Sequence, residues 1–272
     1  MIQIEIVTIG NEVLVGDVLD TNTNWISKRI TGMGGLVKRV VLVRDNLNAI
    51  SKEIQSAIEQ KIDLIITIGG MGPTVDDMTL EAVAQATNRS LELNVKAISF
   101  VKKRYEYFAS QGYVDSSEIT LARKKMGILP RDATPVENPV GAAPAVILKV
   151  QNSTIICLPG VPTELKKIFE EPLQPILKTI FGNSVFIERV VIVNCNDESI
   201  LAPIVKKIFE KNQDKIYIKS RPKNFGSDVK LRVIFSGIGN CQEELENNLN
   251  TTLQEFEEEL MLAGISIDST SN

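Results

Sequence analysis

The chain has 272 residues, 43% of them hydrophobic and 24% charged, with a formal net charge of −4: enough for one large domain or two unequal ones. No stretch approaches the ~20 apolar residues of a membrane span, the alternating start Met1–Ile6 lacks the basic and apolar segments of a signal peptide, and neither half is strongly basic, so a cytoplasmic protein with no membrane or nucleic-acid partner is expected. Histidine is absent, which removes Ser-His-Asp and Cys-His catalysis and histidine-based zinc sites.

Acid–base work then falls to carboxylates, Lys, Tyr, Ser, Thr or main-chain groups, and the compatible metals are oxygen-seeking cations such as magnesium or manganese. Cys157, Cys195 and Cys241 lie far apart without zinc spacing and read as buried or unreactive thiols.

Residues 2–9 alternate as a strand ending at Gly10. Residues 22–33 place Trp25, Ile26, Arg29, Ile30 and Met33 at helical spacing, with Asp20 or Thr21 as cap and Gly34-Gly35 as stop. A strand at 36–43, a helix at about 47–60 and a short apolar strand at 63–68 ending in Gly69-Gly70 follow. This β-α-β-α-β order predicts a mostly parallel sheet with helices on both faces, whose ligands bind beyond the carboxyl ends of its strands. Helices are then expected at 78–87, 94–111 and 116–126. A strand pair follows at 144–150 and 154–158 around Gln151-Asn152. The last helix of this part starts near Pro162 and is broken or kinked by Pro172 and Pro175.

After Gly182 the pattern becomes a strand at 185–193, a helix at 198–211, strands at 215–219 and 229–235, and a long acidic helix at 241–262. The division is therefore a ligand-binding domain at 1–182, a small α+β domain (βαββα) at 183–265 and a disordered tail at 266–272. Leu245, Leu249, Leu253, Phe256 and Leu260 form the core face of the last helix.

Four loops carry unusual residues. The first joins Gly10, Asn11, Glu12 and Gly16 to Asp20, Thr21 and Asn22; its glycine and helix start suit an anion, or it is a pair of turns with a capping Asp20 and a solvated Glu12. The second carries Gly69, Gly70, Gly72, Thr74, Asp76, Asp77 and Thr79. Three glycines in four residues let phosphates meet main-chain amides, and the adjacent acids either cap the next helix or hold a divalent cation (magnesium, manganese or cobalt) that bridges phosphate oxygens. The third, Pro135 to Pro144, includes Glu137, Asn138 and Gly141 and reads first as a rigid connection. The fourth, Leu158-Pro159-Gly160-Val161-Pro162-Thr163-Glu164, sets a glycine before a helix start; Glu164 complements the helix dipole or touches the ligand.

Together these segments resemble the CinA family within the MoaB/Mog molybdopterin-binding superfamily, over about residues 1–182 and weakly to 264. The carriers are Gly10-Asn11-Glu12 with Gly16 and Asp20-Thr21-Asn22; Gly69-Gly70-Met71-Gly72-Pro73-Thr74 with Asp76-Asp77-Met78-Thr79; Glu137 through Pro144; and Leu158 through Glu164. The resemblance implies a three-layer α/β/α domain and a phosphate-containing nucleotide or pterin ligand at the loop ends. It further implies metal-dependent hydrolysis of ADP-ribose to AMP and ribose 5-phosphate, or, as in sister families, molybdopterin binding without catalysis. Longer members add a nicotinamide-mononucleotide amidohydrolase domain, which this chain is too short to hold, so that activity is not expected. Family members often read Gly-Thr-Ala-Pro-Gly where this chain has Gly141-Ala142-Ala143-Pro144-Ala145, which removes a hydroxyl at 142 and adds a methyl at 145. In the hydrolase reading Asp76 and Asp77 hold the metal, Glu12 or Glu164 orients water, and Gly70–Gly72 with Gly160 position the diphosphate. A further reading makes the C-terminal domain an interaction or dimerisation unit, with a homodimer as the expected assembly.

Overall fold

The computed structural model describes residues 1–213, 215–222 and 230–271. Residues 229 and 272, the expected start of one strand and end of the tail, lie outside them. Two compact units result: Met1–Ile30 with Leu36–Gly182, and Thr31–Gly35 with Asn183–Asn272. The short turn Thr31–Gly35 thus groups with the second unit, not with the first as the sequence reading drew it.

The first unit runs β1 (Gln3–Ile9), α1 (Asn11–Leu14), α2 (Thr21–Gly32), β2 (Leu36–Val43), α3 (Leu47–Glu59), β3 (Leu64–Ile68), α4 (Thr79–Ala86), β4 (Leu91–Leu93), α5 (Val95–Ser110), α6 (Leu121–Lys125), β5 (Ile128–Pro130), β6 (Thr134–Val136), β7 (Ala145–Val150), β8 (Ser153–Leu158), α7 (Pro162–Glu170) and α8 (Gln174–Phe181). Its main sheet has the order β2-β1-β3-β8-β7-β6. The first four strands are parallel, and β7 and β6 are antiparallel additions.

Every residue of β3 is buried, the mark of a strand covered on both faces. Val7, Ile9, Ile65, Ile155 and Cys157 face a core shared with Ile50 and Ile54 of α3, Ala82 and Val83 of α4, and Val101 of α5. Their neighbours Ile4, Ile6, Leu64, Ile66 and Ile68 are as deeply buried on the opposite face. There α2 supplies Ile26 and Ile30, and α7 supplies Leu165, Ile168 and Phe169, with Trp25 edge-on to Phe169. Side-chain caps fix several helix starts: Asn46 accepts from the Ala49 amide and Asn94 from the Ala97 amide, each worth about 1 kcal/mol. Asp20 accepts from the Thr23 amide at 2.9 Å, as the sequence reading expected of a cap. Cys157 is buried at the end of β8, and burial pushes its thiol up to about 12, so it stays a thiol. Cys195 is also buried, whereas Cys241 is exposed at the start of the last helix.

Two local expectations change and one is sharpened. The helix expected at 116–126 shrinks to Leu121–Lys125, because Thr120 caps the Arg123 amide and the preceding residues form a loop. Of the break or kink expected at Pro172 and Pro175 the structure shows the break: α7 stops at Glu170, and Pro175 sits in the first turn of α8. The three-residue strands β4, β5 and β6 carry no sequence period and were not foreseen.

The second unit runs β9 (Val185–Val193), α9 (Glu198–Asn212), β10 (Tyr217–Pro222), β11 (Leu231–Gly239), α10 (Gln242–Leu262) and β12 (Ile267–Ser271). Its antiparallel sheet has the order β10-β11-β9-β12. The tail expected to be disordered is therefore a strand, and the unit is βαββαβ. Register with β9, the 2.9 Å bond from the Asn194 amide to the Ser266 carbonyl and the Lys230–Asp268 pair hold this polar segment in place. Among the described residues no helix is long and apolar enough to cross a membrane.

Candidate functional site

Four strands of the first unit end on one edge, and β7, being antiparallel, begins on it. A cavity of about 550 Å³ opens along that edge. It brings together Gly10, Glu12, Gly69, Gly70, Gly72, Asp76, Asp77, Gly160, Pro162 and Glu164, all singled out from sequence.

The glycines differ in what they offer. The Gly10 amide donates to the Val43 carbonyl and the Gly69 amide to the Leu158 carbonyl, so both are spent on the sheet and present only bare Cα atoms. A Cβ on Gly69 would stand 2.3 Å from the Ile9 carbonyl oxygen, at φ +100°, so glycine is required there. The amides of Gly70, Met71, Gly72, Gly160 and Val161 have no protein partner among the described residues. Those of Gly160 and Val161 precede α7, whose first turn adds a favourable dipole for an anion.

The second loop is tied as a knot. The Thr74 amide donates to Asp77 at 2.8 Å, the Thr74 hydroxyl lies 2.5 Å from Asp76 and 2.6 Å from Asp77, and Lys125 binds the Thr74 carbonyl. The hydrogen bond from Thr74, with the Asp76 amide, holds the Asp76 carboxyl below the usual carboxylate range, so it is an anion.

Glu164 is built differently. Burial pushes its carboxyl upward; the Asn138 side chain and the Arg104 charge act against that. Asn138, 5% exposed, donates to Glu164 at 2.7 Å and to the Ala143 carbonyl, and accepts from the Val140 and Gly141 amides. Its full hydrogen-bonding capacity is used to lock one turn onto one carboxylate. A Cβ on Gly141 would lie 2.1 Å from the Glu164 carboxyl, so that glycine makes room for the acid. The segment from 135 to 144 is thus the seat of Glu164, more than a connection.

Several residues expected at the ligand do not line the cavity. Thr79 is fully buried and its hydroxyl holds the Gly69 carbonyl. Asn22 is buried and donates to the Gly160 carbonyl at 2.7 Å. Asn138 and Gly141 are buried as described, Asp20 caps α2, and Thr74 faces its two acids. Asn11 donates its amide to Asp45. These residues shape the loops; they do not line the cavity.

Sequence reasoning missed Asp45, Tyr105 and Met126 in the lining. Asp45 follows the end of β2, so the strand-end rule applied to that strand would have found it. Tyr105 lies mid-helix in α5 and carries no such signal.

Glu12, Asp45, Asp76, Asp77 and Glu164 all face the cavity, and no Lys or Arg is among the residues lining it. An anionic ligand in so acidic a cavity calls for a cation between. The donors are oxygens only, which suits magnesium or manganese. Among the described residues no group of three metal-ligating side chains is gathered. A magnesium-type ion needs only one or two carboxylates when phosphate and water oxygens complete its shell, and the Asp76–Asp77 pair meets that requirement.

Fold and site thus define an α/β protein with a glycine-rich, acid-lined cavity at the carboxyl ends of its parallel strands, where proteins of this architecture bind their ligands. Residues 5–179 match the family described as "Probable molybdopterin binding domain". A protein of Pyrobaculum arsenaticum is 38% identical over 240 residues, covering 88% of this chain and 87% of that one. One of Pyrococcus abyssi is 37% identical over 231 residues, covering 85% and 89%. A crystal structure described as "the protein CinA with unknown function from Thermoplasma acidophilum" is 34% identical, superposes with a TM-score of 0.58, and covers 64% of this chain and 98% of that one. The chain belongs to the molybdopterin-binding-domain family, as a CinA-like member.

Proposed function

We propose that the cavity binds a diphosphate-containing nucleotide of the ADP-ribose type and hydrolyses its diphosphate bond, giving AMP and ribose 5-phosphate, with a divalent cation held by Asp76 and Asp77. The observation that carries this reading is the meeting of unpartnered amides at 70–72 and 160–161 with five carboxylates and no basic side chain in one cavity. The cation supplies the charge neutralisation that a diphosphate needs among these acids. The amides orient the phosphate oxygens and stabilise charge that develops on the leaving phosphate. Glu164, pushed upward by burial, accepts a proton from the attacking water more readily than an ordinary carboxylate does. Glu12, exposed at the opening, is the second group able to orient that water.

The test is incubation of the protein with ADP-ribose and magnesium, manganese or cobalt, with AMP followed by chromatography. AMP release is expected, and its loss in Asp76→Asn/Asp77→Asn. No AMP with any metal refutes the hydrolase reading.

A second reading, binding of a pterin without catalysis, is favoured by two observations. No triad of metal-ligating side chains is gathered among the described residues, and Ala142, which has no hydroxyl to offer a phosphate, lines the cavity. Mass spectrometry of the small molecule that survives purification separates the two: a pterin supports the second, a nucleotide the first.

A further inference from the structure

We infer that Tyr105 is the plate on which a planar nitrogen heteroaromatic ring of the ligand stacks, with Arg123 as the positioning residue behind it. This rests on the reading of the cavity as a diphosphate site and names what binds beside the diphosphate.

The amides and acids account for the phosphate part of the cavity. They leave a second wall unexplained, made of Met71, Tyr105, Met126, Ala142 and Ala143. These five are continuous with the hydrophobic core of the first unit, so the wall is one apolar surface and not scattered side chains. A cavity of about 550 Å³ falls in the range of about 300–1,000 Å³ that takes a whole small molecule, larger than a bare diphosphate requires. An apolar wall next to a phosphate cradle fits a ligand with a flat ring at one end and phosphate at the other.

Tyr105 is the aromatic member of that wall. It follows Val101 by one helical turn, which puts both on one face of α5; Val101 is fully buried and Tyr105 is half-buried. Its ring is held before any ligand arrives. The Arg123 guanidinium lies 3.9 Å from the ring centroid, and Phe108 packs edge-on at 5.8 Å. Arg123 is itself fixed, donating to the Ser116 carbonyl at 2.6 Å and the Glu118 carbonyl at 2.8 Å. A ring locked in this way loses little freedom when another ring stacks on it, so the contact contributes more of its energy to binding. The small side chains of Ala142 and Ala143 leave space that a larger residue would fill.

The experiment is calorimetric titration of the full chain, in magnesium, with three probes: inorganic pyrophosphate, ADP and 6-hydroxymethylpterin. A ring-bearing probe is expected to bind wild type, and Tyr105→Ala to weaken it by about tenfold or more, the range of a lost base–aromatic stack. Pyrophosphate binding is expected to be unaffected by that change, and Tyr105→Phe to restore the ring-bearing probe. Arg123→Gln is expected to weaken the same probe less, and not at all when Tyr105 is already Ala. Which of ADP and the pterin responds identifies the ring. If Tyr105→Ala does not fold, Ala142→Leu, which fills the wall from another element, is expected to exclude the ring and spare pyrophosphate. Pyrophosphate bound with no Tyr105 effect on either ring-bearing probe, or equal weakening of all probes, overturns the inference and leaves the diphosphate reading standing. Failure of wild type to bind any of the three overturns both.

Discussion

The two units solve the same packing problem with opposite sheets, and only one of the solutions makes a site. In the second unit an antiparallel sheet stacks Val191, Val193, Val233 and Phe235 against Leu245, Leu249 and Phe256 of α10. In the first, four parallel strands send every strand-to-helix connection to one edge. Glycines and acids scattered from residue 10 to residue 164 therefore converge on one cavity. Parallel pairing gathers loops; antiparallel pairing distributes them between two ends.

The sharpest way to break that contrast is to damage the second unit alone. Phe256 is fully buried against Phe235 at a centroid distance of 5.0 Å, and Phe256→Ala is expected to cost about 3–5 kcal/mol. A lowered Tm with unchanged affinity for the cavity's ligand supports a site made by the first unit; lost affinity breaks the comparison. Next in size is Gly69→Ala. The left-handed backbone alone costs about 1–3 kcal/mol there, and the contact with the Ile9 carbonyl adds to it. Denaturant unfolding is expected to show a loss of that order, together with weakened binding; a neutral substitution contradicts the close approach of β1 and β3.

The smallest effect concerns Glu164. Burial raises its carboxyl in the folded protein, so the fold holds that proton more tightly than the unfolded chain does. Its contribution to stability is full at acid pH and declines as pH rises from the ordinary 4.5 through the raised value. Glu164→Gln is expected to flatten that decline, measured as the wild-type minus variant stability across the range. A difference that does not vary with pH would falsify the buried, Asn138-held carboxylate. Gly141→Ala, which pushes the carboxyl off its seat, is expected to reduce AMP release more than stability.

Much of this was legible in the residues. The β-α-β-α-β order, the fully buried run of β3 and the glycine–aspartate loop were visible because period and composition report burial and turn geometry directly. The polar strand β12 and the three-residue strands were not, since partners fix them and local preference does not. Tyr105 reads in sequence as one more residue of an amphipathic helix.

By itself, then, the sequence determined the longer periodic strands and helices, that no histidine takes part, and that glycine and carboxylate sit at strand ends. Only the tertiary structure decided which of those groups face a ligand. Thr79, Asn22 and Asn138 went into the wall while Asp45 and Tyr105 came to its surface. The reason is physical: local pattern sets the direction of a chain, but the side of a cavity on which a side chain falls depends on strands and helices far away in the sequence.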